Sequence, residues 1–430
     1  MAARSLPLAH SKRAPQGKRA RPSYRRYSVE DLDQFREETR QWLEANCPAS
    51  QRLPNTPEEQ YWGGRRGSFA SEDARVWFER MRDRGWTAPE WPEAYGGGGL
   101  TPQQGRVLKE EMKRIKARTP LYSLGLWMLG PALLEYGSEE QKQQHLRAIV
   151  NGEFRWCQGY SEPAAGSDLA SLQTRAEDQG DHFLVNGSKI WTTGADRSDW
   201  IFCLVRTNPH VKKQEGISFL LIDMASPGVS TTPIELISGE SEFCQTFFDN
   251  VRVPKSNLVG ELNHGWSVAK ALLVHERKLM AEIGGDSPRQ EIAPVEAARR
   301  YLEFSTGRIA DNQLRSDLAD YEMRMHAIGL THMRSFEERA AGIKGSVGLA
   351  MKYLGTEAVK DKNELLLAIM GTRALGWEAP GFTTEELDTT RLWAMSKAMT
   401  IAGGTSEVQL NVIANHVLQL PQAPKAATES

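Results

Sequence analysis

The spacing of apolar residues changes twice along this 430-residue chain, and this change is the strongest limit on its fold. Across residues 29–155 apolar side chains recur with the 3.6-residue period of amphipathic helices. Across residues 156–262 they alternate with polar side chains between turn signals, which predicts strands. The helical period returns across residues 263–420. The sequence therefore predicts an α+β fold with an N-terminal helical domain, a central β domain and a C-terminal helical domain.

The two ends of the chain lack these patterns. Residues 1–28 contain eight basic side chains, no acidic one and three prolines, so we expect a disordered basic arm. An Arg-rich, acid-poor start also fits a transit peptide, but the prolines and the lack of an amphipathic stripe favour a cytoplasmic protein. A short tail, residues 421–430, follows the last helical period. Over the whole chain 53 basic residues oppose 55 acidic ones, so overall charge does not favour nucleic acid.

Missing sequence features exclude several classes of protein. The apolar runs fall far short of the roughly 18 residues that a membrane span needs. The four cysteines form no CxxC pair, so we expect no metal site and no disulfide, but reduced, mostly buried thiols. No dinucleotide-binding glycine motif and no P-loop occurs. We interpret the glycine run at 96–99 as a flexible turn, and Asn186-Gly187 between two apolar runs as the turn of a β-hairpin.

Several separated segments, in a fixed order, carry a resemblance to a known family. They are 159–168 (GYSEPAAGSD), 185–193 (VNGSKIWTT), 247–254 (FFDNVRVP), 258–266 (LVGELNHGW) and 402–414 (AGGTSEVQLNVIA). Together they resemble the acyl-CoA dehydrogenase family over roughly residues 30 to 420. The resemblance implies a helical domain, a β-barrel-like domain and a four-helix bundle, in agreement with the change of period.

The resemblance also implies a cofactor and its contacts. Family members bind FAD between the β domain and the bundle, and no side chain of this protein could itself accept a hydride. By the family's pattern, the implied contacts are Gln158, Tyr160 and Ser161 with the edge of the isoalloxazine; Gly166 and Ser167 on the pyrophosphate and acyl-CoA side; Trp191, Thr192 and Thr193 around the ring and its N5; and Thr405 and Glu407 at the start of the final helix. The alternative interpretations are a core aromatic for Trp191 and a first-turn acid favoured by the helix dipole for Glu407.

The resemblance leaves two positions for the catalytic base. Many members carry a glutamate before a Gly-Thr pair near the end of the chain, where this sequence has Gly403. A second group places it on the first bundle helix before an arginine, and Glu276-Arg277 stands there. Arg277 is then implied as an orienting residue near the flavin. The backbone N–H of Gly403 is implied to polarise the thioester carbonyl together with a ribityl hydroxyl of FAD.

The helical pattern itself favours Glu276 as the base. At helical spacing it interrupts an apolar stripe that contains Ala269, Leu273, Met280 and Ile283. No basic residue stands three or four positions away, which excludes an intrahelical ion pair. Apolar surroundings raise the pKa of a carboxyl towards the range useful for a general base. The alternatives are that the helix turns Glu276 to solvent, or that an arginine from elsewhere pairs with it.

Two family features are absent from the sequence. The bundle usually carries an Arg-x-x-Phe-Gly and a Gln-x-x-Gly-Gly-x-Gly segment that reach the FAD of a neighbouring subunit. The corresponding stretches here are 306–315 (TGRIADNQLR) and 368–376 (AIMGTRALG), in which Gly371 remains and Arg308 or Arg315 could substitute. This departure leaves open a heteromeric assembly in which another chain completes the site.

The sequence thus predicts an FAD-dependent acyl-CoA dehydrogenase that passes electrons to an electron-transferring flavoprotein. Glu276 and Ser167 are the expected substrate contacts, and we expect a homo-oligomer, a dimer or tetramer, unless a second chain takes part. Oxygen-using flavin monooxygenases and oxidases of the same fold are the main alternative. A partner subunit with an incomplete site, or a nucleic-acid-binding protein that uses the basic arm, is a third, although the arm offers only Tyr24 and Tyr27 for stacking.

Overall fold

The computed structural model describes residues 29–283, 292–343, 347–378 and 380–421. The basic arm (1–28) and nearly all of the tail predicted at 421–430 lie outside the described residues. No helix within the described ranges is long and apolar enough to cross a membrane. The four cysteines are free and buried, which confirms the predicted burial of these thiols.

The N-terminal part of the chain is helical, as predicted. Its helices are α1 (Val29–Asn46), α2 (Glu72–Asp83), α3 (Pro102–Arg114), α4 (Gly130–Tyr136) and α5 (Glu139–Val150). Thr101 and Ser138 begin α3 and α5, and each side-chain oxygen accepts a hydrogen bond from a backbone N–H of the first turn. A π-helical turn, Gly125–Leu129, precedes α4 and contributes Leu126 and Leu129 to the largest apolar core.

The middle of the chain forms a sheet of eight strands. They are β1 (Trp156–Gly159), β2 (Arg175–Asp178), β3 (His182–Thr193), β4 (Trp200–Arg206), β5 (Ile217–Asp223), β6 (Val229–Ile234), β7 (Phe243–Pro254) and β8 (Leu258–Val259). Their order is β6-β7-β3-β2-β4-β5-β8, and β1 pairs in parallel with β4. One face of this sheet packs against the N-terminal helices, and the other closes a second core around Phe183 and Ile222.

The hairpin predicted at Asn186-Gly187 is wrong. Strand β3 runs unbroken from His182 to Thr193, and the chain reverses before it, where Gly180 takes φ +89° between β2 and β3. Gly187 is needed for a different reason, because a Cβ there would lie 2.7 Å from the Cα of Thr174. Asn186 on β3 stands opposite two residues of β7, Asp249 and Asn250, so the bulge is in β7, and Gly187 allows the close approach of two backbones.

The glycine run at 96–99 is tightly packed against its neighbours, so the prediction of a flexible turn is wrong. The N–H groups of Gly97, Gly98 and Gly99 donate to the carbonyl oxygens of Pro92, Ala88 and Trp91. A Cβ on Gly97 would lie 2.3 Å from the Trp91 carbonyl oxygen. These glycines allow two backbone segments to touch.

The C-terminal part of the chain is again helical. Its elements are α6 (Gly265–Ile283), α7 (Pro294–Tyr301), the two-residue strands β9 (Phe304–Ser305) and β10 (Arg308–Ile309), α8 (Asn312–Ala340), α9 (Met351–Met370), α10 (Thr384–Met399) and α11 (Ser406–Val412). Helix α9 lies centrally and packs against α6, α8, α10 and α11. Helix α6 also packs against β5 and the π-helical turn, so it joins the bundle to the rest of the molecule.

A buried histidine lies where the N-terminal helices meet the sheet. His145 is 1% exposed, its ring packs edge-on against Trp156 and Trp200, and neither of its nitrogens has a hydrogen-bond partner among the described residues. Burial lowers the pKa of His145 to about 4. The imidazole is therefore neutral in the folded protein at neutral pH.

This burial predicts a loss of stability in acid. Between pH 6.5 and 4 the unfolded chain protonates His145 while the folded protein does not, so folded stability falls as the pH is lowered through this window. Between pH 7 and pH 5 we expect the free energy of unfolding to fall by about 2 kcal/mol from this group. Urea unfolding of His145→Phe should lack that part of the decrease, and an unchanged pH dependence in the variant would contradict the assignment.

Candidate active site

A bulge near the end of β3 presents Trp191 on the surface of the sheet. Lys189 pairs with Thr246 and Thr192 with Cys244, so Ile190 and Trp191 together oppose the single residue between those partners on β7. Trp191 takes φ +60°, a conformation that is rare for a bulky residue. Its indole is 52% exposed and packs edge-on against Phe243 at 6.1 Å between ring centroids. A strained, exposed aromatic is typical of a functional surface, and the core interpretation of Trp191 is wrong.

The two threonines after Trp191 have different surroundings. Thr192 is fully buried, and its Oγ1 lies 2.7 Å from the Cys244 carbonyl oxygen and 2.8 Å from Thr246 Oγ1. Because side chains alternate along a strand, Thr193 shares the face of Trp191 and is half-buried there. Any contact of Thr192 with a ligand on this face must come from its backbone, since its side chain points into the sheet.

The segment after β1 brings Ser161 beside β3. The N–H of Ile190 donates to the Ser161 carbonyl oxygen at 2.9 Å. Tyr160 is buried and packs edge-on against Phe202 and Phe219, so its ring belongs to the core and only its backbone borders this surface. Gln158 is half-buried on β1.

A buried ion pair beneath this segment was not expected from the sequence. Lys189 Nζ lies 2.7 Å from Glu162 Oε1 and 3.2 Å from the Tyr160 carbonyl oxygen. The Glu162 carboxylate also accepts the N–H groups of Gln173 and Thr174 at 2.6 and 2.8 Å. Burial alone would raise the pKa of Glu162, but Lys189 and these hydrogen bonds outweigh it and lower the pKa below its ordinary value. The pair fixes both ends of the loop 162–174 to the sheet.

That loop carries Gly166 and Ser167 on its exposed side. A Cβ on Gly166 would meet no atom of the described residues within 4 Å, and Ser167 is exposed. The next residue, Asp168, accepts hydrogen bonds from Lys213 at 2.6 Å and Ser171 at 2.5 Å. The loop is therefore held from both sides while its tip faces open space.

The second group of predicted residues lies on the turn between α10 and α11. Gly403 and Gly404 take φ +66° and +99°. Their carbonyl oxygens accept hydrogen bonds from Gln409 Nε2 at 3.2 Å and from the buried Lys352 Nζ at 2.6 Å, respectively. Thr405 begins α11, and its Oγ1 accepts the Val408 N–H at 3.3 Å. The side chains of Gln409 and Lys352 therefore hold this turn in place. The sequence pattern did not point to either residue.

Glu407 is exposed in the first turn of α11. Hydrogen bonds from its own backbone N–H and from Thr405 lower its pKa. This is the behaviour of a first-turn acid at a helix N-terminus, which supports that interpretation of Glu407.

Glu276 and Arg277 belong to α6, whose helix is continuous from Gly265 to Ile283. Their side chains lie outside the described residues. The preceding part of the predicted apolar stripe is buried as expected, since Ala269 is 0% exposed and Leu273 packs against the main core. The assignment of Glu276 as the base therefore stays a prediction.

Models of one protein family match nearly all of the described chain. The N-terminal, middle and C-terminal domains of acyl-CoA dehydrogenase match residues 29–153, 157–251 and 263–418. The chain belongs to the acyl-CoA dehydrogenase family.

Individual family members are similar over almost their whole length. The acyl-CoA dehydrogenase IpdE1 of Mycobacterium tuberculosis is 34% identical over 399 residues, which cover 92% of this chain and all of that protein. A solved structure described as the Tcur3481-Tcur3483 steroid ACAD aligns with a TM-score of 0.71 at 30% identity, covering 92% of this chain and 99% of the other. The ChsE4-ChsE5 complex from M. tuberculosis aligns with a TM-score of 0.68 at 28% identity, covering 94% and 100%.

Membership makes this protein an oxidoreductase that acts on acyl-CoA and uses a flavin. The surface around β3 suits such a cofactor. Trp191 offers an exposed aromatic face, and the Ser161 N–H has no acceptor among the described residues. A donor left open beside an aromatic platform fits the carbonyl oxygens and flat ring of a flavin.

The structure groups the predicted residues by domain. Ser161 joins Trp191 and Thr193 on one surface of the sheet, while Gly403, Thr405 and Glu407 share the turn at the start of α11. Glu162, Lys189 and Lys352 complete the support of these groups and were missed. Glu162 and Lys189 are charged residues inside motifs, while Lys352 lies in none of them, and a charged residue in the sequence is usually a solvated surface residue.

Proposed function

We propose that this protein is an FAD-dependent acyl-CoA dehydrogenase that introduces a double bond between the α and β carbons of an acyl-CoA thioester. The observation that carries this proposal is the surface formed by Trp191, Thr193 and the open Ser161 N–H within an acyl-CoA dehydrogenase fold. Around it, the exposed loop tip with Gly166 and Ser167 offers room for the pyrophosphate and CoA side, and Thr405 caps the helix expected beside the flavin.

In the proposed reaction Glu276 takes the α-proton as a general base. Bound FAD supplies the acceptor for the β-hydride, so the two hydrogens leave as a proton and a hydride and the carbon chain gains a double bond. The Gly403 N–H donates to the thioester carbonyl oxygen and stabilises the negative charge that grows there as the proton leaves. Arg277 follows the base on α6 and acts as an orienting residue near the flavin.

We propose a bulky, polycyclic acyl group as the substrate class. Trp62, Tyr122 and Trp127 form a half-buried aromatic cluster with ring centroids 5.6 to 6.0 Å apart. Trp127 lies on the π-helical turn that packs against α6, the helix of the proposed base. Large flat aromatic surfaces favour flat apolar ligands. The similarity to a protein described as a steroid ACAD supports the same class.

We further propose that the chain works as part of an oligomer and passes electrons to an electron-transferring flavoprotein. Helix α8 exposes Met323, Leu330 and Met333 at 65%, 53% and 60%, a row that a partner subunit would cover. The similar ChsE4-ChsE5 structure is a complex of two different chains, and this supports a second kind of subunit as the partner of this chain. A monomeric mass for the purified, flavin-loaded protein would contradict the assembly.

Anaerobic mixing with a panel of acyl-CoA thioesters tests the proposed function. Straight, branched, aromatic and steroid-derived thioesters should all be compared at equal concentration by loss of flavin absorbance. We expect the steroid-derived members to bleach the flavin at least tenfold faster than straight-chain ones. Equal or faster bleaching by straight chains would contradict the proposed substrate class.

A further inference from the structure

The side chain of Lys189 is fully buried, which is rare for a lysine. Its ammonium has two described partners, one carboxylate oxygen of Glu162 at 2.7 Å and the main-chain carbonyl oxygen of Tyr160 at 3.2 Å. Burying a charge costs free energy even when it is paired, and a pair of apolar residues could fill the same volume. The two partners therefore point to a task beyond packing.

The bond to Tyr160 fixes the direction of the next N–H group. In a trans peptide the carbonyl of one residue and the N–H of the next point in opposite directions. Since Lys189 holds the Tyr160 carbonyl towards the interior of the sheet, the Ser161 N–H points away from the interior. The Ser161 carbonyl is itself held by the Ile190 N–H at 2.9 Å. Both peptides that flank Ser161 are thus fixed to β3.

This N–H has no acceptor among the described residues, although the Tyr160 carbonyl, the Ser161 carbonyl and the Glu162 N–H are all hydrogen-bonded. It lies beside the bulge that turns the Trp191 indole outwards, two residues after Lys189 in the same strand. An open backbone donor next to an aromatic surface needs an acceptor from a ligand or from water. The same strand thus supplies the aromatic surface and the lysine that aims the donor.

We propose that Lys189 is a positioning residue for the flavin: it holds the Tyr160 carbonyl so that the Ser161 N–H is presented to a carbonyl oxygen of the isoalloxazine. This inference rests on the proposed function, which brings FAD to this surface. Glu162 has a separate task, because it neutralises the ammonium and receives the N–H groups of Gln173 and Thr174. Lys189 therefore acts on the ligand through one peptide, and Glu162 acts on the loop.

The two tasks can be separated by three variants. Lys189→Met removes the donor to Tyr160 and leaves the Glu162 carboxylate buried without its cation. Lys189→Met/Glu162→Gln removes both charges and restores a neutral interior, but not the hydrogen bond to Tyr160. Glu162→Gln keeps a lysine that can still donate to Tyr160. The readouts are the melting temperature of each apoprotein, its Kd for FAD, and the visible absorption spectrum of bound flavin, which responds to hydrogen bonds at its carbonyls.

We expect Lys189→Met to have a lower melting temperature than the wild type and the double variant to recover most of it. In both, the Kd for FAD should rise about tenfold or more, the value of one lost hydrogen bond to the ligand, with a shifted flavin spectrum. Glu162→Gln should also lower the melting temperature, because it leaves the Lys189 ammonium buried without its carboxylate, but the flavin spectrum should stay like that of the wild type, since Lys189 can still donate to Tyr160.

A double variant with the wild-type Kd and spectrum would overturn the inference, because the pair would then only hold the fold. Failure of the double variant to fold at the assay temperature would overturn it as well, since the pair would then be a stability element. A wild-type apoprotein that binds no FAD would instead overturn the proposed function. The two failures are therefore distinguishable.

Discussion

Replacing Glu276 by glutamine should lower the rate of flavin reduction by acyl-CoA by about 10² or more, while acyl-CoA still binds. Glutamine keeps the size and the hydrogen-bonding shape of the side chain but cannot take the α-proton. The expectation rests on the position of Glu276 on α6, in line with the buried Ala269 and the half-buried Leu273. Anaerobic stopped-flow measurement of flavin bleaching isolates this step from reoxidation.

Glu261→Gln provides a matched control for this variant. Glu261 is exposed in the loop that leads into α6, so the same change there should leave the rate within about twofold of the wild type. In the double variant Glu276→Gln/Gly403→Glu, a carboxylate at the alternative position should restore part of the rate. Bleaching by Glu276→Gln at the wild-type rate would refute the assignment and direct attention to Glu407.

A substitution in the glycine run should have the largest effect on stability. In Gly97→Ala the new methyl group would lie 2.3 Å from the carbonyl oxygen and 2.5 Å from the carbonyl carbon of Trp91. Backbone atoms cannot move aside as a flexible side chain can, so we expect the free energy of unfolding to fall by about 3 kcal/mol or more. Thermal unfolding of the two proteins measures this difference.

Gly329→Ala is the control for that change. Gly329 is exposed within α8, and within the part of the chain that the structure describes a Cβ there would meet no atom within 4 Å. Alanine should stabilise this helix position by up to about 1 kcal/mol, so the same substitution has the opposite sign at the two sites. If Gly97→Ala melts at the wild-type temperature, the close backbone packing described for this loop is wrong.

The sequence predicted the order of helical and β parts because the two periods persist over long segments. The helices of residues 29–155 and α6 follow from apolar spacing, and the strands β4 and β5 from continuous apolar runs. The bulges between β3 and β7 were not predictable, since Asn186-Gly187 fits a hairpin turn as well as it fits a strand that faces a bulge. Long-range pairing with β7 decides between them, and no local pattern contains that information.

The site was predictable only where a motif carries the functional residues. The exposure of Trp191 follows from the bulge, so the strand pattern alone equally suited a core aromatic. Thr192 lies inside the motif, but its side chain points into the sheet. A position in the motif therefore does not show by itself that the side chain reaches the ligand. Lys189 and Glu162 are far apart in sequence and form their ion pair in the buried interior. The sequence pattern does not show that these two residues are buried together.

Anaerobic titration shows whether this surface oxidises an acyl-CoA through a bound flavin. Wild-type protein loaded with FAD, free of oxygen and of any reductase, should lose its flavin absorbance on addition of a steroid-derived acyl-CoA, with the unsaturated thioester formed in equal amount. Flavin that stays oxidised with every thioester of the panel, and that turns over only when a reductase and oxygen are supplied, would contradict the dehydrogenase and indicate an oxygen-using flavoenzyme of the same fold.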